Sequence, residues 1–135
     1  MNDIKPSEAE LHEQLAQFKK AVAKLKSGLD EQKSELERDG CIQRFEFCVD
    51  LMWKTLQSYL AVRHSVVCNS PKTCVREALS VEVIQEDDPL WLKMLDMRNL
   101  TVHTYKEDVA KEIFDQLPAT VLLFETLLNR LALEN

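Results

Sequence analysis

The eight residues from Arg98 to Tyr105, R-N-L-T-V-H-T-Y, gather the side chains of this chain best suited to chemistry. An imidazole such as His103 titrates near neutrality and serves as a general acid or base. Arg98 can grip a phosphate through two parallel hydrogen bonds or stabilise a phosphoryl centre. Asn99 lies one turn before His103, within reach of it or of a substrate. Tyr105 carries a hydroxyl that can be modified or can donate to a phosphate. Helix geometry limits this set. Five residues turn through about 500°, which leaves Arg98 and His103 about 140° apart on an ideal helix. They converge on one ligand only if the helix ends before His103, or if two protomers of a twofold dimer juxtapose the segment. On spacing alone, an interhelical hydrogen-bond network accounts for the same residues.

Other polar candidates carry weaker signals. His12 falls off the apolar seam of its helix and reads as solvated. His64, beside Arg63 near a helix end, suits the C-terminal dipole. Trp53 and Trp91 read as core residues rather than base-stacking platforms. Arg44 and Lys54 lie ten apart on one helix and fit either local positive potential for a nucleotide or surface salt bridges. The run Glu86-Asp87-Asp88 suits helix capping better than a metal site. Cys41, Cys48, Cys68 and Cys74 form no C-x-x-C, and no His stands at zinc-ligand spacing, so no metal or cofactor is expected. Four reduced thiols in a cytoplasmic protein are expected, with Cys41 and Cys48 seven apart on a buried face.

The frame that must position these groups is constrained by composition. A chain of 135 residues points to one domain over residues 1–135. Its two glycines, Gly28 and Gly40, are too few for dinucleotide loops, P-loops or hairpin-rich β folds. A formal charge of −6 excludes a broad basic surface for nucleic acid or anionic membrane and confines any RNA site to a local patch. The first residues lack the apolar core of a signal peptide, and no apolar run approaches the roughly 20 residues of a membrane span.

Helical periodicity dominates. Leu11, Leu15, Phe18, Val22, Leu25, Leu29, Gln32 and Leu36 alternate steps of four and three, predicting one helix from residue 8 to 38 that ends at Asp39-Gly40. At 1.5 Å per residue it would span roughly 45 Å, more than a short bundle covers, which suggests a homodimer. Ile42, Phe45, Val49, Met52, Leu56, Tyr59 and Leu60, broadened by Phe47 and Trp53, predict a second helix to Arg63. Ser70-Pro71 starts a short helix near 71–79, and Asp88-Pro89 starts one reaching about Val102. A last helix runs from Lys106 to Leu133, with a kink or break expected at Pro118. The fold class is all-α: an up-and-down four-helix bundle with one extra short helix.

The segment Arg98–Tyr105 resembles the R-x4-H-x-Y motif of HEPN-domain proteins. With QRFEFCVDLMWKTLQSYL from Gln43, SPKTCVREAL from Ser70 and DPLWLKMLDMRNLTVHTYKEDVAKEIF from Asp88, nearly the whole chain is similar to the nucleotidyltransferase substrate-binding proteins, close to the HepT toxins. The resemblance implies a bundle like the accessory domain of kanamycin nucleotidyltransferase. It implies a minimal nucleotidyltransferase, encoded nearby, as partner and user of ATP. It also implies a second role, a metal-independent ribonuclease toxin silenced by AMP transfer. Arg98 and His103 would then be the ribonuclease pair, Asn99 the supporting polar residue and Tyr105 the AMP acceptor. Cys48-Val49-Asp50 departs from the family's more usual Thr, aromatic and Glu. Asp50 keeps the acid and joins Arg44 and Lys54 as a substrate-binding candidate.

Overall fold

The computed structural model describes residues 6–30, 34–85 and 89–133, and among these every regular element is helical. The order is α1 (Glu8–Leu29), α2 (Glu35–His64), α3 (Pro71–Ser80), α4 (Leu90–Leu100), a single 3-10 turn (Thr101–His103) and α5 (Glu107–Leu133). The chain is an all-α helical bundle. α2 is its spine, touching all four other helices. Contacts between α1 and α2 fix their direction: Arg63 meets Glu8, Thr55 meets the Gln14 carbonyl, and Arg44 meets the Lys24 carbonyl. Residue numbers rise on one helix as they fall on the other, so the two are antiparallel.

The apolar periodicity becomes one core. Phe18 of α1 meets Phe124 of α5 edge to face at 5.7 Å, and Phe45, Met52, Leu56 and Leu60 fill the spine's inner face. Burial of such side chains, each contributing about 1.5–3 kcal/mol, is what holds helices whose surface charges are mostly solvated. Ion pairs between helices, Lys26–Glu125 and Arg38–Glu107, lie at the exposed rim.

The first helix is shorter than its heptad pattern predicts. α1 stops at Leu29, and α2 begins at Glu35 with a capping box: Ser34 Oγ accepts from the Glu37 N–H, and Glu37 accepts from the Ser34 N–H, both at 3.1 Å. This reciprocal cap satisfies two donors that a continuous helix would have used elsewhere. Gly40, expected as a terminator, sits inside α2, where its lack of Cβ is a cost rather than a break. Leu36 is therefore 81% exposed instead of buried in a seam, and Gln32 lies outside the described residues. With α1 at 22 residues, about 33 Å, the length argument for a dimer disappears.

Three further expectations change. Phe47 is 53% exposed, because the inner face of α2 is already filled by Phe45, Cys48 and Val49. Pro118 neither breaks nor ends α5, since it faces solvent and forfeits only the bond to the Phe114 carbonyl. Two of the four cysteines are not reduced. Cys68, in the connection after α2, is bonded to Cys74 in the first turn of α3, with their Cα atoms 5.2 Å apart. The chain doubles back between them as Ser70 caps α3, accepting from the Thr73 N–H, which brings the two thiols within bonding reach. Cys41 and Cys48 are buried as expected. The Ser70-Pro71 start holds, whereas Asp88 and the Glu86-Asp87 pair lie outside the described residues.

Candidate functional site

The geometry that decides the site is the end of α4. The Thr101 hydroxyl and its backbone N–H both donate to the Arg98 carbonyl, the former at 2.7 Å. This competition tightens the chain from α-helix into the 3-10 turn Thr101–His103. Thr104 then donates to the Thr101 carbonyl at 3.2 Å, and the chain turns into α5. The α-helix thus ends at Leu100, and His103 closes the 3-10 turn that follows.

Arg98 projects from α4 onto α2. Its Nε and Nη2 donate to Asp50 Oδ1 and Oδ2, each at 3.1 Å, in a two-pronged pair. Nη1 donates to Thr101 Oγ1 at 3.3 Å and lies 3.5 Å from Glu46 Oε2. The hydrogen bonds to Asp50 hold the guanidinium above its already high pKa, against the opposing effect of burial. Asp50 is therefore the residue that orients Arg98. Glu46 and Trp53 share its face of α2, at spacings of four and three, and that repeat was the sequence signal for them.

Beside this pair opens a cleft of about 420 Å³ between α2, the start of α3 and α4. Asp50, Trp53, Pro71, Leu95 and Asn99 line it together with Arg98 and Lys72. Trp53 is only half-buried and forms part of the wall, whereas Trp91 is fully buried in the core. Lys72 pairs with Asp96 at 3.2 Å, both well exposed.

His103 and Tyr105 stand outside that lining set. Both are exposed, with Tyr105 at 76%. The Tyr105 hydroxyl lies 3.4 Å from His103 Nδ1, the rings meet edge to face at 5.9 Å, and the Lys106 ammonium sits over the Tyr105 ring. The structure thus gathers Arg98, Asn99 and Asp50 at the cleft, and His103 with Tyr105 on the adjoining turn. Arg44 is elsewhere: its Nη1 donates to the Lys24 carbonyl at 2.7 Å, and it lines a separate groove with Phe47. Lys54 is exposed and does not line the Arg98 cleft. His12 is exposed along a groove of about 910 Å³ between α1 and α5, and His64 leans on Tyr59. Among the described residues, no group of three or more His, Cys, Asp or Glu is placed to hold a metal ion, and no helix is long and apolar enough to cross a membrane.

The class the structure defines is an all-α helical bundle with Arg98 and Asn99 at a cleft and His103 and Tyr105 on the adjoining turn. Residues 12–133 match the family described as nucleotidyltransferase substrate binding protein like, and the chain belongs to that family. It is 32% identical over 100 residues to a probable ribonuclease HepT of Haemophilus influenzae, covering 71% of this chain and 68% of the relative. A crystal structure of a Thermus thermophilus protein is similar at 43% identity and a TM-score of 0.80, covering 84% of this chain and 98% of that one.

Proposed function

We propose that this chain is the accessory, substrate-binding subunit of a two-gene system. It docks a minimal nucleotidyltransferase that carries its own ATP and transfers AMP, with Tyr105 as the acceptor. The observation that carries this reading is the presentation of Tyr105, 76% exposed with its hydroxyl against His103 Nδ1. In the transfer, Tyr105 Oη bonds to the α-phosphorus of ATP, the bond to pyrophosphate breaks, and the phenolic proton passes to His103 Nδ1. Exposed Leu100 and Val102, at 41% and 68%, flank the segment with apolar surface that a docked protein would cover. The test is to incubate the chain with the nucleotidyltransferase encoded beside it and ATP. A mass gain of one AMP mapping to Tyr105, absent in Tyr105→Phe, is expected. An unmodified tyrosine beside an active partner overturns it.

A second reading rests on the complete set Arg98, Asn99, His103 and Tyr105 along the end of α4 and the turn after it. Arg98 and His103 then act as a metal-independent ribonuclease pair, with Asn99 supporting, and AMP on Tyr105 silences them. RNA cleavage without added divalent metal, lost in His103→Ala, is the expected outcome; no cleavage by the wild-type chain alone sinks this reading.

A further inference from the structure

The cleft beside Arg98 is built for a flat ligand rather than for a bare anion. Its two cations are already matched: Arg98 spends Nε and Nη2 on Asp50 and Nη1 on Thr101 and Glu46, and Lys72 meets Asp96. Three carboxylates and two cations leave no excess of positive charge for a free phosphate alone. What the walls offer instead is the half-buried indole of Trp53 with Pro71 and Leu95 as apolar neighbours, and the polar edges of Asp50 and Asn99. An aromatic wall takes the π-face of a nucleobase. A carboxamide can accept from and donate to adenine together, and a carboxylate accepts from an exocyclic amine. The volume, about 420 Å³, falls in the range of small-molecule sites.

We propose that this cleft binds the nucleobase of a nucleoside monophosphate unit bearing an exocyclic amine, stacked on Trp53 and read by Asn99 and Asp50. The exposed Lys72–Asp96 pair lies beside it. Such surface pairs are weak, so a phosphate can take Lys72 from Asp96. The unit is either a free nucleotide or one residue of a single RNA strand. This deepens the substrate-binding role proposed above and rests on it, but the test uses the chain alone. Failure of partner docking or of AMP transfer to Tyr105 therefore leaves its outcome unaffected.

The experiment titrates the full chain with AMP, UMP, ribose 5-phosphate and an unstructured A-rich ribo-hexamer. Tryptophan fluorescence and calorimetry report binding, and Trp91 is sealed in the core, so quenching reports Trp53. AMP is expected to bind at least fivefold more tightly than UMP, and ribose 5-phosphate not to bind. Trp53→Ala is expected to lose about tenfold or more in affinity, Trp53→Phe to keep most of it, and Asn99→Ala to erase the AMP preference over UMP. Binding of AMP by itself assigns the free nucleotide, and binding of only the hexamer, with the same Trp53 dependence, assigns the RNA strand. The proposal is overturned if neither binds at millimolar concentration, if ribose 5-phosphate binds as well as AMP, or if the exposed-site variant Asn99→Ala, checked for native helicity, binds AMP as wild type does.

Discussion

Asp50 and Cys48 are neighbours on one turn of α2, and they show how far environment divides similar positions. Asp50 points to the cleft and forms a two-pronged pair with Arg98, the two side chains 42% and 28% exposed. Solvent screens such a pair, so Asp50→Asn is expected to lower stability by only about 1 kcal/mol in urea unfolding. A loss of several kcal/mol would show that the pair is a structural strut rather than an orienting contact. Cys48, by contrast, is sealed in the core, and burial pushes its thiol up to about 12. The raised pKa favours the neutral form in the folded state. Its contribution to stability is complete below about pH 9, the usual thiol range, and is lost as pH climbs toward 12. At pH 8 Cys48 is expected to resist iodoacetamide in the folded protein and to react promptly in 6 M urea, read by mass spectrometry. Rapid labelling without urea would contradict the burial. The Arg98–Tyr105 motif was legible in sequence because its chemistry is compressed into eight residues. The orienting acid was legible only as a resemblance, because Asp50 stands 48 positions away from Arg98.

At the scale of the element, the boundary between α1 and α2 is where pattern and structure part. The heptad repeat runs through Leu29 toward Leu36 without a change of rhythm, and a periodicity argument has no means of seeing a short break that preserves phase. The signal that decides it is local: Ser34 and Glu37 at capping-box spacing, which competes successfully with one more turn of helix. Gly40 was the conspicuous breaker in the sequence, yet a Cβ placed on it meets nothing within 4 Å, and its φ is not positive. Gly40→Ala is therefore expected to stabilise the protein by about 0.5–1 kcal/mol, through helix propensity and the unfolded chain's entropy. A lower melting temperature for this variant would mean that the backbone at Gly40 is not helical. The Cys68–Cys74 bond is the second element-scale feature, since it closes the segment that carries Ser70 and Pro71 to the cleft wall. A seven-residue loop constrained in the unfolded chain is worth about 2 kcal/mol in the chain-entropy account. Cys68→Ala/Cys74→Ala is expected to lose about that much in urea unfolding. A double variant as stable as the oxidised wild type would show the bond to be dispensable.

For the whole molecule, the remaining question is what covers the surface around the motif. A long first helix argued for a second copy of the chain, and so did the need to bring Arg98 and His103 together. The first ground is gone, since α1 is 22 residues long; the second stands, since His103 lies on an exposed turn outside the cleft that Arg98 lines. To it is added apolar surface left exposed at the motif itself. Leu100, Val102 and Tyr105 are 41%, 68% and 76% exposed within six residues, on the stretch that joins α4 to α5. Apolar residues clustered on such a turn favour association, and a twofold axis through it would bring the two copies of the turn together. The prediction is a homodimer at micromolar concentration by light scattering, reverting to monomer in Val102→Asp with unchanged helicity. If the wild type is monomeric, the same patch is left for the nucleotidyltransferase, and Val102→Asp is then expected to abolish co-purification of the partner. A variant that neither dissociates a dimer nor loses the partner would mean that the exposed turn serves no interface. The formal charge of −6 fits this arrangement, because contact at the turn depends on apolar area and not on a basic field.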